Sequence, residues 1–165
     1  MTFLDSGDDP EGAKRRPLYL FIIVTLGVGA VASLFTSPAI PTWYASLNRP
    51  SFTPPNWIFA PVWTTLYILM AVAAWRVWKK TGLRSVEMAG FAVQLALNLF
   101  WSILFFGLHR IGAALIEIVV LDLAILATLV LFFRRDRLAG LLLAPYLAWT
   151  LFATVLTQTF GQLNQ

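Results

Sequence analysis

Five apolar stretches, each long enough to cross a bilayer, account for most of this 165-residue chain. They run Leu18–Thr36, Trp57–Trp78, Met88–Leu108, Ile111–Phe133 and Leu138–Phe160. A helix rises about 1.5 Å per residue, so roughly 20 apolar residues cover the ~30 Å hydrocarbon layer. The predicted fold class is therefore all-α, a five-transmembrane-helix bundle over residues 18–165. Only 12% of residues are charged, against about 25% in soluble domains. The connections are short, so no soluble catalytic or receptor domain is expected, and function is expected inside or at the edge of a membrane.

The first stretch exceeds a signal peptide's apolar region and no small-residue cleavage site follows it, so it is read as a permanent span. Residues 1–17 include the acidic, turn-rich run Asp5-Ser6-Gly7-Asp8-Asp9-Pro10-Glu11-Gly12 and are expected to be a disordered tail. The chain has no Cys, which excludes disulfides and thiolate metal sites; no metal site is expected.

Where the positive charges sit matters more than the net +4. Ten of the 12 Lys and Arg fall in the tail (Lys14, Arg15, Arg16), the second connection (Arg76, Lys79, Lys80, Arg84) and the fourth (Arg134, Arg135, Arg137). Only Arg49 and Arg110 lie on the other side. The positive-inside rule then puts the N-terminus in the cytoplasm and the C-terminus and long first loop opposite. Cations lying beside spans argue against nucleic-acid binding.

The loop Ser37–Asn56 combines Pro38, Pro41, Pro50, Pro54 and Pro55 with Trp43, Tyr44 and Phe52. Prolines stiffen it and aromatics give it area to bury or an affinity for the interface. It is either a lid over the bundle or an interfacial aromatic belt. Gly27, Gly29, Ala30, Ala32 and Ser33 in the first span permit close packing or leave room for a ligand. Trp63 and Tyr67 share a face of the second span. Gln94, Asn98 and Trp101 do so on the third, and an unpaired amide in hydrocarbon costs several kcal/mol. Those amides must point into the bundle or a cavity, as interhelical bonds or as ligand contacts.

The fourth span carries two acids. Intramembrane carboxylates are expensive and are functional candidates by default. Glu117 is near enough to the outer edge to reach a wet cavity, or makes a structural hydrogen bond. Asp122, mid-span, is protonated, hydrogen-bonded or at a subunit contact. Five residues apart, the two do not form an acid/base pair. In the fifth span Tyr146, Trp149, Ala153 and Thr157 form one stripe, beside the helix-kinking Pro145.

Three runs carry a resemblance. Trp43-Tyr44 with Leu47-Asn48-Arg49-Pro50 and Pro54-Pro55-Asn56-Trp57-Ile58-Phe59-Ala60-Pro61-Val62-Trp63 is one. Gln94-Leu95-Ala96-Leu97-Asn98 with Trp101 and Phe105-Phe106-Gly107 is the second, and Pro145-Tyr146-Leu147-Ala148-Trp149 with Phe152-Ala153 the third. Together they resemble the translocator protein (tryptophan-rich sensory protein, peripheral-type benzodiazepine receptor) family, from about residue 18 onward. The resemblance implies a homodimeric bundle that binds protoporphyrin-type tetrapyrroles, or haem, and benzodiazepine-site drugs, with no obligatory cofactor. It implies a pocket open toward the long loop and walled by aromatics, in which Asn98, Tyr146 and Ala153 match pocket positions and Glu117 a position often acidic in relatives. With the residue faces above, the candidate ligand-binding residues are Trp43, Trp57, Phe59, Trp63, Tyr67, Gln94, Asn98, Trp101, Glu117, Tyr146, Trp149 and Ala153. Trp63 and Trp149 match tryptophans linked in some bacterial members to light-driven porphyrin breakdown. Leu156-Thr157 departs from the family's Leu-Asn, and no basic residue follows, so high-affinity cholesterol binding is not supported.

Function is thus expected to be that of a tetrapyrrole-binding sensor or regulator, ahead of a photochemical enzyme. A transporter ranks third, because five spans do not divide into equal inverted repeats. His109, in a short connection, does not favour a buried haem iron with a histidine ligand.

Overall fold

The computed structural model describes residues 10–164, with side chains from Pro17 onward. Helix α1 (Pro10–Ala39) leads into a short α2 (Trp43–Ser46) and, past a proline-rich turn, into α3 (Phe59–Thr81). Helices α4 (Val86–Ser102), α5 (Ile111–Arg135) and α6 (Arg137–Leu163) follow, and no strand occurs among the described residues. Five of these helical stretches are long and apolar enough to cross a membrane, so the protein is an integral, multi-pass membrane protein. Residues 1–9 of the tail lie outside the described residues, and α1 is already helical from Pro10.

The helices close into a ring. α1 packs on α3 and α4, α3 on α6, α6 on α5 and α5 on α4. Met70, Ala73, Ala74, Val77, Ile125 and Phe132 are fully enclosed at its centre. On the outside, Ile116, Leu123, Leu126 and Val130 of α5 turn apolar side chains outward, as a lipid-facing surface requires. The closest joint is α5 on α6. A Cβ at Gly140 would lie 2.7 Å from the Phe133 backbone, so only glycine permits that approach.

The third apolar span is not one uniform helix. Its regular part stops at Ser102, and Ile103–Gly107 winds more widely as a π-helical turn, closed by Leu108 N–H donating to the Ile103 carbonyl at 2.8 Å. The turn ends at Gly107, where Phe35 of α1 packs so closely that a Cβ would lie 2.9 Å from its ring. The wide turn leaves Phe105 buried and Phe106 half-buried at the end of the bundle that bears the first and third connections.

The end bearing the second and fourth connections is pinned by charge. Asp136 caps α6 by accepting the Ala139 N–H at 3.0 Å and pairs with Arg76 and Lys80, each at 2.9 Å. Burial of Asp136 opposes ionisation, but Lys80, Arg76 and the Ala139 N–H outweigh it and hold the carboxyl well below its ordinary range. Beside it, Arg135 of α5 donates to Glu87 of α4 at 2.6 Å. This end is solid; the other is hollow.

Candidate functional site

At the hollow end a cavity of about 370 Å³ opens between α1, α3, the π-helical turn and α6, under the loop that carries α2. That size falls within the ~300–1,000 Å³ usual for small-molecule sites. Each helix contributes through its own periodicity. α3 presents Phe59, Trp63 and Tyr67, four residues apart, and α6 presents Trp149, Ala153 and Thr157 at the same spacing. Trp101, Ser102, Phe105 and Phe106 close a third wall, and α1 supplies a fourth from Leu26, Gly29, Ser33 and Thr36, with Ile40 just beyond its end.

The walls are stacks of rings. Trp149 lies edge-on to Phe59 with centroids 6.0 Å apart, and Trp63 lies against Tyr67 at 5.6 Å. Trp101 stacks on Phe105 at 5.2 Å. Tyr67 forms the floor: its hydroxyl donates to Asn98 Oδ1 at 2.7 Å, and its ring occupies the space that a side chain at position 29 would need, 2.5 Å from a Cβ there. A glycine on α1 and an asparagine on α4 thus fix one tyrosine between them.

Of the twelve candidate residues, the fold brings Phe59, Trp63, Tyr67, Trp101, Trp149 and Ala153 to the cavity wall. Asn98 and Tyr146 stand directly behind it, one bonded to Tyr67 and the other edge-on to Trp63 at 6.2 Å. Gln94 is buried deeper, its amide against the Met70 sulfur at 4.0 Å. Glu117 is buried on α5, a helix that contributes nothing to the wall, so it does not reach the cavity. Trp43 stacks on His109 at 4.3 Å and meets Phe105 edge-on, supporting the wall from outside. Trp57 is 73% exposed and takes no part. Asp122 is hydrogen-bonded, its Oδ2 accepting from Thr154 of α6 at 2.7 Å, while its Oδ1 is buried without a partner.

Sequence periodicity did not single out Tyr44, Phe105, Phe152, Leu156 and Phe160 as wall residues. Phe105 could not be placed because the wide turn shifts the face it occupies. The α1 wall had a signal, the run of small residues around Gly29 and Ser33.

The loop lies over the cavity. Tyr44 is 3% exposed, meets Phe160 at 5.3 Å and lines the cavity from above. Burial raises its hydroxyl pKa, and the neighbouring Arg49 partly offsets this. The Arg49 guanidinium sits 4.8 Å from the Tyr44 ring centre. Phe52 meets Phe152 edge-on at 6.4 Å. Two asparagines clasp the loop to the end of α6. Asn48 N–H donates to Asn164 Oδ1 at 2.9 Å, Asn48 Nδ2 to the Leu163 carbonyl at 3.2 Å, and Asn164 Nδ2 to the Asn48 carbonyl at 3.0 Å.

Similarity to other proteins bears on this geometry. The sequence pattern of the TspO/MBR family matches residues 21–163. The chain is 42% identical over 144 residues to the tryptophan-rich protein TspO of Archaeoglobus fulgidus, covering 87% of this chain and 94% of that one. It is 44% identical over 151 residues to the TspO of Chlorobaculum tepidum, covering 89% and 95%. With the human translocator protein it shares 42% identity over 118 residues, 69% of this chain and 70% of the human one.

Proposed function

The chain belongs to the TspO/MBR family, and from that membership we propose that it binds a protoporphyrin-type tetrapyrrole among its helices and serves as a membrane sensor or regulator of porphyrin metabolism. One observation carries the reading: indole and phenol rings from α3, α4 and α6 face a single cavity under a clasped loop. A flat, apolar macrocycle is suited to walls of aromatic rings with few polar groups. Drug-like benzodiazepine-site ligands suit the same surface. Trp43 occupies His109 outside the cavity, so the reading is of ring-face binding rather than ligation of an iron by that imidazole. The functional unit is proposed as a homodimer, with the N-terminus cytoplasmic and the loop on the opposite side. Titrating purified protein in detergent with protoporphyrin IX should quench tryptophan fluorescence saturably, at one macrocycle per chain. Linear, non-saturating quenching would sink the reading.

A second reading has its own observation. Trp63 and Trp149, two oxidisable indoles, both face the cavity, where light and oxygen could drive breakdown of a bound porphyrin. Under illumination a discrete product should form in the wild type and fade in Trp63→Phe and Trp149→Phe. Bleaching that yields no product, or that ignores both substitutions, removes this reading.

A further inference from the structure

We infer that ligands reach the cavity sideways from the bilayer, through a seam between α1 and α3, and not through the loop end. The inference concerns access to the site proposed above and rests on that reading. The direction follows from the helix faces. On α1, Gly29 faces Tyr67 of α3, whereas Phe35 faces Gly107 of the π-helical turn. At about 100° per residue, Ala30, Ser33 and Ser37 then project from the α3 side of α1. On α3, Tyr67 meets Gly29 of α1, and Ala60 and Thr64 lie about 20° and about 60° from Tyr67 around the helix, so they too project toward α1. These five residues both line the cavity and are exposed on the protein surface. All five side chains are small.

The chemistry of the seam suits passage of an apolar molecule. Ser33 Oγ donates to the Ala30 carbonyl at 2.7 Å and Thr64 Oγ1 to the Ala60 carbonyl at 2.9 Å. Both hydroxyl protons are therefore spent within their own helices. Below the seam, the Gly29–Tyr67 contact closes the helices together. Above the cavity the buried Tyr44 ring and the Asn48–Asn164 clasp lie across the route to water, where Asn56 is the one exposed lining residue. A lipophilic macrocycle partitions into the bilayer first, and this opening faces it there.

The test uses protein in lipid nanodiscs and protoporphyrin IX delivered from donor vesicles, read by stopped-flow tryptophan quenching. Ala60→Trp should plug the seam and slow association and dissociation together by tenfold or more. Since the chain lacks cysteine, Ser33→Cys can carry a bulky methanethiosulfonate label in otherwise unmodifiable protein. Labelling should slow exchange similarly, and a reductant should restore it, which guards against misfolding of the tryptophan variant. Asn164→Ala, which frees the loop, should leave both rates within about twofold. Acceleration by Asn164→Ala with no effect of the plugs would overturn the inference in favour of the loop end. Unchanged rates in all variants, or faster dissociation alone in the plugged ones, would also overturn it. A wild type that never binds the porphyrin would instead sink the proposed function.

Discussion

Single side chains at the cavity make distinct contributions. Trp149 presents an indole to the cavity and is held by Phe59 and Phe152. An aromatic contact contributes ~0.5–1.5 kcal/mol beyond its buried area. Trp149→Ala should therefore weaken protoporphyrin affinity about tenfold, and unchanged affinity would place the macrocycle elsewhere. Arg49 tests the acidic substituents. Its guanidinium lies over the ring of Tyr44, which lines the cavity, so its charge favours a ligand whose propionates point toward the loop. Arg49→Gln should weaken protoporphyrin IX binding about threefold, a modest effect because the guanidinium is exposed. The dimethyl ester should bind this variant and the wild type alike. Equal losses for acid and ester would assign Arg49 to holding Tyr44 rather than to the ligand.

Between elements, closeness is decided by glycine and by buried charge. At Gly140 an added methyl meets the Phe133 backbone, which has no rotamer to yield. Gly140→Ala should force α5 from α6 and destabilise the bundle by about 1–3 kcal/mol, measured by thermal unfolding in detergent. The corner between those helices is held by Asp136, whose folded-state pKa is depressed by Lys80, Arg76 and the Ala139 N–H. A depressed carboxylate contributes stability that is present above its unfolded pKa of ~3.9 and lost as pH falls through the folded value. Asp136→Asn keeps the capping oxygen and removes the charge. It should lower stability by about 1 kcal/mol at pH 7, since both cationic partners are partly exposed. The gap from wild type should narrow below about pH 4; a gap independent of pH would show that the charge contributes nothing.

For the whole molecule, the bundle has one solid, charge-pinned end and one hollow end. Arg76, Lys79, Lys80, Arg84, Arg134, Arg135 and Arg137 all belong to the solid end. By the positive-inside rule that end is proposed to be the cytoplasmic one. Alkaline phosphatase fused after Gln165 should then be active, and fused within the 79–84 connection inactive. The reverse pattern would invert the protein and turn the clasped loop toward the cytoplasm.

The sequence alone determined the five spans, because hydrocarbon thickness sets a length that any apolar helix must meet. It also determined which faces carry Trp63 with Tyr67 and Trp149 with Ala153, because helical periodicity fixes which residues share a face. Tertiary structure alone decided which faces turn inward together. Glu117 and Gln94 satisfy the same polarity argument as Asn98, yet only Asn98 touches a wall residue, through Tyr67. Trp57 sits in the most recognisable motif and is the most exposed of the candidates. The clasp joins residues 116 positions apart, and Gly107 at the end of the wide turn packs against Phe35 of α1. Neither contact is encoded locally, because each depends on where a distant helix lies once the ring has closed.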